Sequence, residues 1–287
     1  MPKGRRRKRR KRPSRRARPF KGRPPAEGKK GMFPLRDSNS YKTFPLTTYS
    51  LIVINVVAFL TFKFRLSGDI ELLQGLTLVP GKMEWCVANI DLITQNPGVF
   101  VHSLIQPFFA SMFLHADWPH LLGNMWFLFV FGRAIEGRLG SFGFLGFYLV
   151  FGVAAGLFHV IVTLEMDSQV INLLGSVVQM DGMGKMIPVV GASGAIAGVL
   201  GAYFFLYPLA RILVFFPPFF LFHIPALFFI GFWFAYQMIS ANAVTCESVV
   251  YCGVAWWAHI GGFLAGLALI SIYHLFKSDQ SPEPRNA

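Results

Sequence analysis

Four polar side chains stand inside long apolar stretches of the sequence, and their types could support nucleophilic chemistry. Ser193 lies within the small-residue run GASG, and His259 lies within AHIGG. His120 and Asn124 are four residues apart, which places them on one face of a helix. A hydroxyl becomes a nucleophile when a base such as a neutral imidazole takes its proton. Polar groups are costly inside a membrane, so polar residues at such positions are candidate functional residues.

The helix predicted to begin at Ser193 is short. From Ser193 to Tyr207 the sequence has 15 residues, or about 22 Å of helix at 1.5 Å per residue, whereas a hydrocarbon core is about 30 Å thick. We therefore expect this fourth helix to be recessed, with Ser193 several Å inside the membrane below a loop from the outer side. A helix N-terminus there offers unpaired N–H groups to an oxyanion.

Two glycine pairs predict that the helices carrying the serine and the histidine pack closely. Gly194 and Gly198 lie on the first helix, and Gly262 and Gly266 lie on the second. Small residues at this spacing let membrane helices approach closely. Each pair begins less than one turn inward of the candidate serine or histidine, so the hydroxyl and the imidazole should meet at similar depth. No carboxylate lies at this depth in any predicted span, and we predict a Ser–His dyad without a third acid.

The polar pair before these helices has two interpretations. His120 and Asn124, with the Ser193 backbone N–H, could hold an oxyanion. They could instead be hydrogen-bonding contacts between helices, which are common for these residue types in membranes. A metal site built from His115, His120 and His259 is disfavoured, because no intramembrane carboxylate joins them and the sequence has no HExxH motif. We expect no metal and no cofactor.

The composition identifies the setting of these residues. Hydrophobic residues make up 54% of the 287 residues and charged residues only 14%, against about 25% charged residues in an average soluble domain. The mean hydropathy is +0.49. These values exclude an ordinary soluble globular domain and indicate an integral membrane protein.

The charge is confined to one end of the chain. Residues 1–43 contain 18 of the 27 Lys and Arg residues and two acids, and the remaining chain has a net charge of −3. We predict that residues 1–43 are a disordered polybasic cytosolic arm lying on anionic lipid headgroups. Nucleic-acid or ribosome contact is a minor alternative, and no nucleic acid is expected as a partner. We do not expect the arm to be a signal peptide, since no apolar stretch follows within its first 30 residues.

The body, residues 44–277, is predicted to be an all-α bundle of six transmembrane helices, followed by a short tail at 278–287. The predicted spans are about 44–62, 118–139, 142–164, 193–207, 216 or 222 to 239, and 256–276. Six spans place both termini on one side. Lys and Arg in the short loops make that side cytosolic. A bacterial cytoplasmic membrane is the expected location, with a eukaryotic secretory or organellar membrane as the alternative.

The three cysteines, Cys86, Cys246 and Cys252, all fall in loops assigned to the outer side. Three cysteines are too few for a disulfide framework. Two possibilities are open: Cys246 and Cys252 form a disulfide in an oxidising compartment, or all three thiols are free.

The sequence resembles the rhomboid family of intramembrane serine proteases over about residues 45–277. The resemblance rests on three motifs in the family's order: HxxxN from His120 to Asn124, GxSG around Ser193, and AHxxG around His259. It implies that Ser193 is the nucleophile and His259 the general base. It implies that His120, Asn124 and the Ser193 N–H form the oxyanion hole, and that His115 supports the site from the first outer loop.

The resemblance also implies the substrates, which are membrane-anchored proteins cleaved near the top of a transmembrane segment. Gly191 and Gly194 match the small residues that flank the family's nucleophile. Some members have a tyrosine that stacks on the catalytic histidine, whereas this chain has Ala197 there, so we expect Trp257 to orient the imidazole. Residues 166–190 form a longer segment than in compact members.

Two further functions are weighed against the protease. A non-catalytic rhomboid-like protein that binds membrane clients would usually lack the serine or the histidine, and this chain retains both. A small transporter would use a broken fourth helix as a solute site, but the sequence has no evident inverted repeat and no intramembrane charges.

Overall fold

The structure is a computed structural model that describes residues 44–66, 68–167, 171–173, 176–178, 184–216, 220–243 and 254–278. The predicted basic arm at 1–43, the predicted tail beyond residue 278, Cys246 and Cys252 lie outside the described residues. All described residues belong to one of the chain's two units, Pro34–Ala287.

The described chain is mostly helical. Its α-helices are α1 Leu46–Arg65, α2 Ile70–Leu76, α3 Pro80–Ala88, α4 Ile90–Thr94, α5 Pro97–Phe100, α6 Gln106–Ala110, α7 Trp118–Phe127, α8 Arg133–Leu139, α9 Ser141–Asp167, α10 Ser193–Leu206, α11 Ala226–Ala243 and α12 Trp256–Ser278. Four strands form two antiparallel hairpins: β1 Ile171–Leu173 with β2 Ser176–Val178, and β3 Arg211–Phe216 with β4 Phe220–Pro225.

Several of these helices suit a membrane. Within the described residues, α1, α9 and α12 are long and apolar enough to cross one. Two further helical segments, Pro97–Phe113 and Trp118–Leu139, meet at 84° and together satisfy the same criterion as one broken span. The helices α10 and α11 are apolar but shorter. The chain is therefore a multi-pass membrane protein, whose described part has three spans by length and composition, or four with the bent pair.

The helix α10 lies at the centre of the bundle. Its residues from Gly194 to Tyr203 are all buried, and α9 and α12 pack against it. A Cβ atom added to Gly262 would overlap the carbonyl oxygen of Gly194, and one added to Gly266 would overlap that of Gly198. The close packing predicted from the glycine pairs is thus confirmed. Glycine is required here because backbone atoms of one helix occupy the space of a side chain on the other.

A buried carboxylate joins the start of α1 to the turn between α8 and α9. Glu136, on α8, accepts hydrogen bonds from the backbone N–H groups of Thr47 and Thr48, both at 2.8 Å, and from the hydroxyls of Thr48 and Ser141, both at 2.7 Å. The first N–H groups of a helix have no partner within the helix. Glu136 supplies that partner for α1 and fixes the helix against its neighbours.

The segment before α11 differs from the prediction. The sequence predicted a fifth span from Phe216 or Phe222, whereas residues in this region pair as strands and the helix begins at Ala226. The apolar run here contains Pro217, Pro218 and Pro225, which cannot continue a helix. Short apolar runs rich in aromatic and β-branched residues suit strands as well as helices. The two hairpins are the part of the fold that an all-α prediction lacked.

Candidate active site

Ser193 and His259 meet where α10 and α12 begin. The hydroxyl oxygen Oγ of Ser193 lies 2.8 Å from Nε2 of His259. Both residues sit less than a turn beyond the glycine contacts, so the close packing of the helices brings the two side chains together. The start of α10 also leaves backbone donors near Ser193. Its ladder of backbone hydrogen bonds starts with the Ile196 N–H, which donates to the Ala192 carbonyl. The N–H groups of the preceding helical residues are not used by that ladder.

The second ring nitrogen of His259 has a partner that the sequence did not predict. Nδ1 of His259 lies 2.8 Å from Oε1 of Gln237 on α11. The indole rings of Trp233 and Trp256 also lie beside the imidazole, with centroids 6.0 and 6.2 Å away. The only sequence signal for Gln237 is an uncharged polar residue within an apolar helix. Trp257, expected to orient the imidazole, instead packs on Phe158.

The helix α7 carries the polar pair predicted as oxyanion donors. Asp117 caps this helix by accepting a hydrogen bond from the backbone N–H of His120 at 2.7 Å, and Pro119 occupies its first turn. The amide nitrogen of Asn124 lies 2.9 Å from Nε2 of His115. The rings of His115 and His120 pack edge to face, with centroids 5.1 Å apart. The predicted supporting histidine therefore contacts both members of the pair.

Gly191 connects this polar cluster to the serine. Its φ angle is +120°, a backbone conformation that favours glycine. A Cβ atom there would lie 2.6 Å from Nε2 of His120 and 3.5 Å from the amide nitrogen of Asn124. The Gly191 N–H donates to the Ser111 carbonyl at 2.8 Å. The loop before α10 therefore passes directly against α7, which brings His120 and Asn124 to the side of Ser193.

A cavity of about 250 Å³ opens at this point between α7, α10 and α11. Ser193, His120 and Asn124 line it together with apolar residues, among them Phe127 and Trp233. Ligand pockets typically combine apolar walls with a few convergent polar groups. Gly194, the other predicted flanking residue, lies outside the lining and packs on Ala155. No three His, Cys, Asp or Glu side chains group as a metal site within the described residues.

One known protein family matches most of this chain. The Rhomboid domain family matches residues 102–276, more than half of the chain. The chain belongs to the rhomboid family.

Three relatives are similar to this rhomboid chain. Rhomboid protein 1, mitochondrial, of Saccharomyces cerevisiae is 29% identical over 229 residues, which cover 79% of this chain and 53% of the yeast protein. Rhomboid protease AarA of Providencia stuartii is 32% identical over 58% of this chain and 54% of its own length. Presenilin-associated rhomboid-like protein, mitochondrial, of Homo sapiens is 32% identical over 46% and 30%. The chain therefore spans about half the length of the first two relatives and less than a third of the length of the human protein.

Proposed function

We propose that this rhomboid protein is an intramembrane serine endopeptidase that cleaves membrane-anchored proteins with a Ser193–His259 dyad. The observation that carries the proposal is the 2.8 Å separation of the Ser193 hydroxyl and His259 Nε2. This distance lies within hydrogen-bond reach, as a nucleophile and its base require. A relative of 32% identity, from Providencia stuartii, is named a protease.

The proposed reaction follows from the positions of these groups. His259 Nε2 takes the proton of the Ser193 hydroxyl while the oxygen attacks the carbonyl carbon of the scissile peptide bond. The negative charge that develops on the carbonyl oxygen is stabilised by the Ser193 N–H, His120 and Asn124. When the intermediate collapses, His259 gives its proton to the leaving amine. Water then hydrolyses the ester on Ser193 by the same two proton transfers.

The proposed membrane arrangement has six spans, formed by α1, the helix from Trp118 to Leu139, α9, α10, α11 and α12. The 14 residues of α10 give a helix of about 21 Å, which supports a recessed Ser193 below the outer surface. A substrate would therefore be cut near the outer end of its own transmembrane segment. The cavity beside Ser193 offers space for the substrate side chain and for water.

We further propose that both termini are cytosolic and that the arm at 1–43 binds anionic lipid headgroups. The Lys and Arg distribution of the sequence supports this orientation. A bacterial cytoplasmic membrane remains the proposed location. Two of the relatives are named mitochondrial, so fractionation of the source cells is the measurement that decides the compartment.

The test is cleavage of a fluorogenic transmembrane peptide by the purified protein in lipid vesicles. Ser193→Ala and His259→Ala should each abolish product release above background. Ser271→Ala and His274→Ala are the matched controls, because both residues lie on α12, away from the cavity. Ser271 bonds to the Leu267 carbonyl and His274 packs on Phe205. The controls should cleave like the wild type.

Two results would overturn the protease proposal. Equal product from the wild type and both site variants would mean that the dyad does no chemistry. If the wild type binds but never cuts a panel of transmembrane peptides, the chain acts as a client-binding protein instead. Retained binding by Ser193→Ala would then be expected, since client binding does not need a nucleophile.

A further inference from the structure

The side chain of Gln237 is buried, with 3% of its surface exposed, and it touches the imidazole of His259 on the side opposite Ser193. We infer that Gln237 is a positioning residue that fixes the tautomer of His259 in which Nε2 is free to accept the proton of Ser193. The inference rests on the proposed function and assigns the group that takes the place of a third catalytic residue.

The orientation of the Gln237 amide is set by its own helix. The amide nitrogen Nε2 donates to the Trp233 carbonyl at 3.3 Å. A carbonyl oxygen can only accept, so this contact identifies which end of the amide carries the hydrogens. The other end, the oxygen Oε1, must then face His259.

The amide oxygen in turn sets the proton on the imidazole. Oε1 of Gln237 has no hydrogen, so the 2.8 Å contact with Nδ1 is a hydrogen bond only when Nδ1 carries the proton. A neutral imidazole has one N–H. Nε2 is therefore left as an acceptor, directed at the Ser193 hydroxyl at 2.8 Å. In the opposite tautomer, the nitrogen facing Ser193 would already hold a proton and could not act as the base.

The same contact suits both protonation states of the reaction. After His259 takes the serine proton, both ring nitrogens are donors. Nδ1–H still donates to Gln237, so proton transfer requires no rearrangement on that side of the ring. A neutral amide does this without placing a second charge in a buried site, where an unpaired charge is costly.

The contact also brings a fourth helix into the site. Ser193, His259 and the polar pair lie on α10, α12 and α7, whereas Gln237 and Trp233 lie on α11. The base is therefore correctly protonated and oriented only while α11 is seated against α12.

The experiment compares two amide deletions on α11. Gln237→Met keeps the length of the side chain and removes the contact with His259. Asn242→Leu is the matched control, because the Asn242 amide also donates to the carbonyl four residues earlier, that of Met238 at 2.7 Å, but is exposed. Both variants lose a bond within the helix, and only the first loses the bond to the imidazole. The Gln237→Glu variant restores an oxygen acceptor at the same position.

Two readouts are taken from each protein. The first is kcat and KM for a transmembrane peptide, together with the rate at which a fluorophosphonate labels Ser193. The second is the ¹⁵N spectrum of histidine-labelled protein, in which protonated and unprotonated ring nitrogens of neutral imidazole resonate far apart. The His259 signals are assigned by their loss in His259→Ala. The spectrum needs no turnover, so it tests the tautomer even if the protein proves not to be a protease.

We expect the wild type and Asn242→Leu to show a single His259 tautomer protonated at Nδ1. Gln237→Met should show a mixture, with kcat and the labelling rate lowered about tenfold, equivalent to about 1.4 kcal/mol in the barrier, and KM unchanged. Gln237→Glu should again show His259 protonated at Nδ1, because a carboxylate accepts and does not donate. The inference is wrong if Gln237→Met keeps the wild-type tautomer, or if its kcat equals that of Asn242→Leu.

Discussion

Replacing Glu136 by glutamine tests how much one buried carboxylate contributes to the bundle. Glu136 is 2% exposed and accepts four hydrogen bonds. Each carboxylate oxygen accepts one backbone N–H, from Thr47 on Oε1 and from Thr48 on Oε2. Glutamine turns one of these oxygens into an NH₂ group. In either orientation of the amide, one buried backbone N–H of α1 then faces the NH₂ group and has no acceptor. The Thr48 and Ser141 hydroxyls can instead rotate and accept a hydrogen bond from it.

The magnitude follows from this count. A buried donor left without a partner costs about 1–3 kcal/mol, so Glu136→Gln should lower the free energy of unfolding by about 2 kcal/mol. A change of 1 kcal/mol shifts Tm by about 2–4 °C in a protein of this size, which gives a fall of roughly 4–8 °C. Glu136→Ala leaves both N–H groups unpaired, and its loss should be about twice as large.

Thermal unfolding in detergent, followed by tryptophan fluorescence, measures both variants. Arg138→Gln is the control, since Arg138 is an exposed residue on the same helix and surface substitutions usually cost less than 0.5 kcal/mol. If Glu136→Gln melts at the same temperature as the control, or if the glutamine and alanine variants have the same Tm, the unpaired N–H groups of α1 do not set the stability of the bundle.

The polar pair on α7, the contact between α10 and α12, and the buried thiol of α3 can each be tested directly. Asn124→Ala should reduce kcat by about 10²–10³ with little change in Tm, as expected for a lost oxyanion donor; a lowered Tm with unchanged activity per folded molecule would make the amide purely structural. Gly266→Val should destabilise the bundle and abolish cleavage, because its Cβ meets the backbone of Gly198, whereas Gly146→Val, with no atom near its added Cβ, should be tolerated. Burial raises the pKa of the Cys86 thiol, an effect that Lys82 partly opposes. With the other two cysteines replaced by serine, the native protein should therefore resist maleimide at pH 7 and react once unfolded; fast labelling of the native protein would show that the thiol is accessible.

The sequence predicted the parts of the site that depend on local pattern. The packing of α10 on α12 followed from glycines at a helical spacing, and the start of α7 at Trp118 followed from the proline that comes next. The contact of Gln237 with His259 joins residues 22 positions apart on two helices. The residue pattern within either helix alone does not predict this contact. The β3–β4 hairpin was missed because apolar runs of this length suit a strand or a helix equally.

The location of the proposed nucleophile and base on α10 and α12 has a consequence for the synthesis of the protein. Ser193 and His259 are separated by 66 residues, and α12 is the last helix that the structure describes. A ribosome adds about 5–20 residues per second, so the serine precedes the histidine by roughly 3–13 s. Throughout that interval the growing chain would carry the proposed nucleophile without its proposed base. The proposed dyad would thus be complete, and surrounding membrane proteins exposed to it, only after α12 has been made and seated.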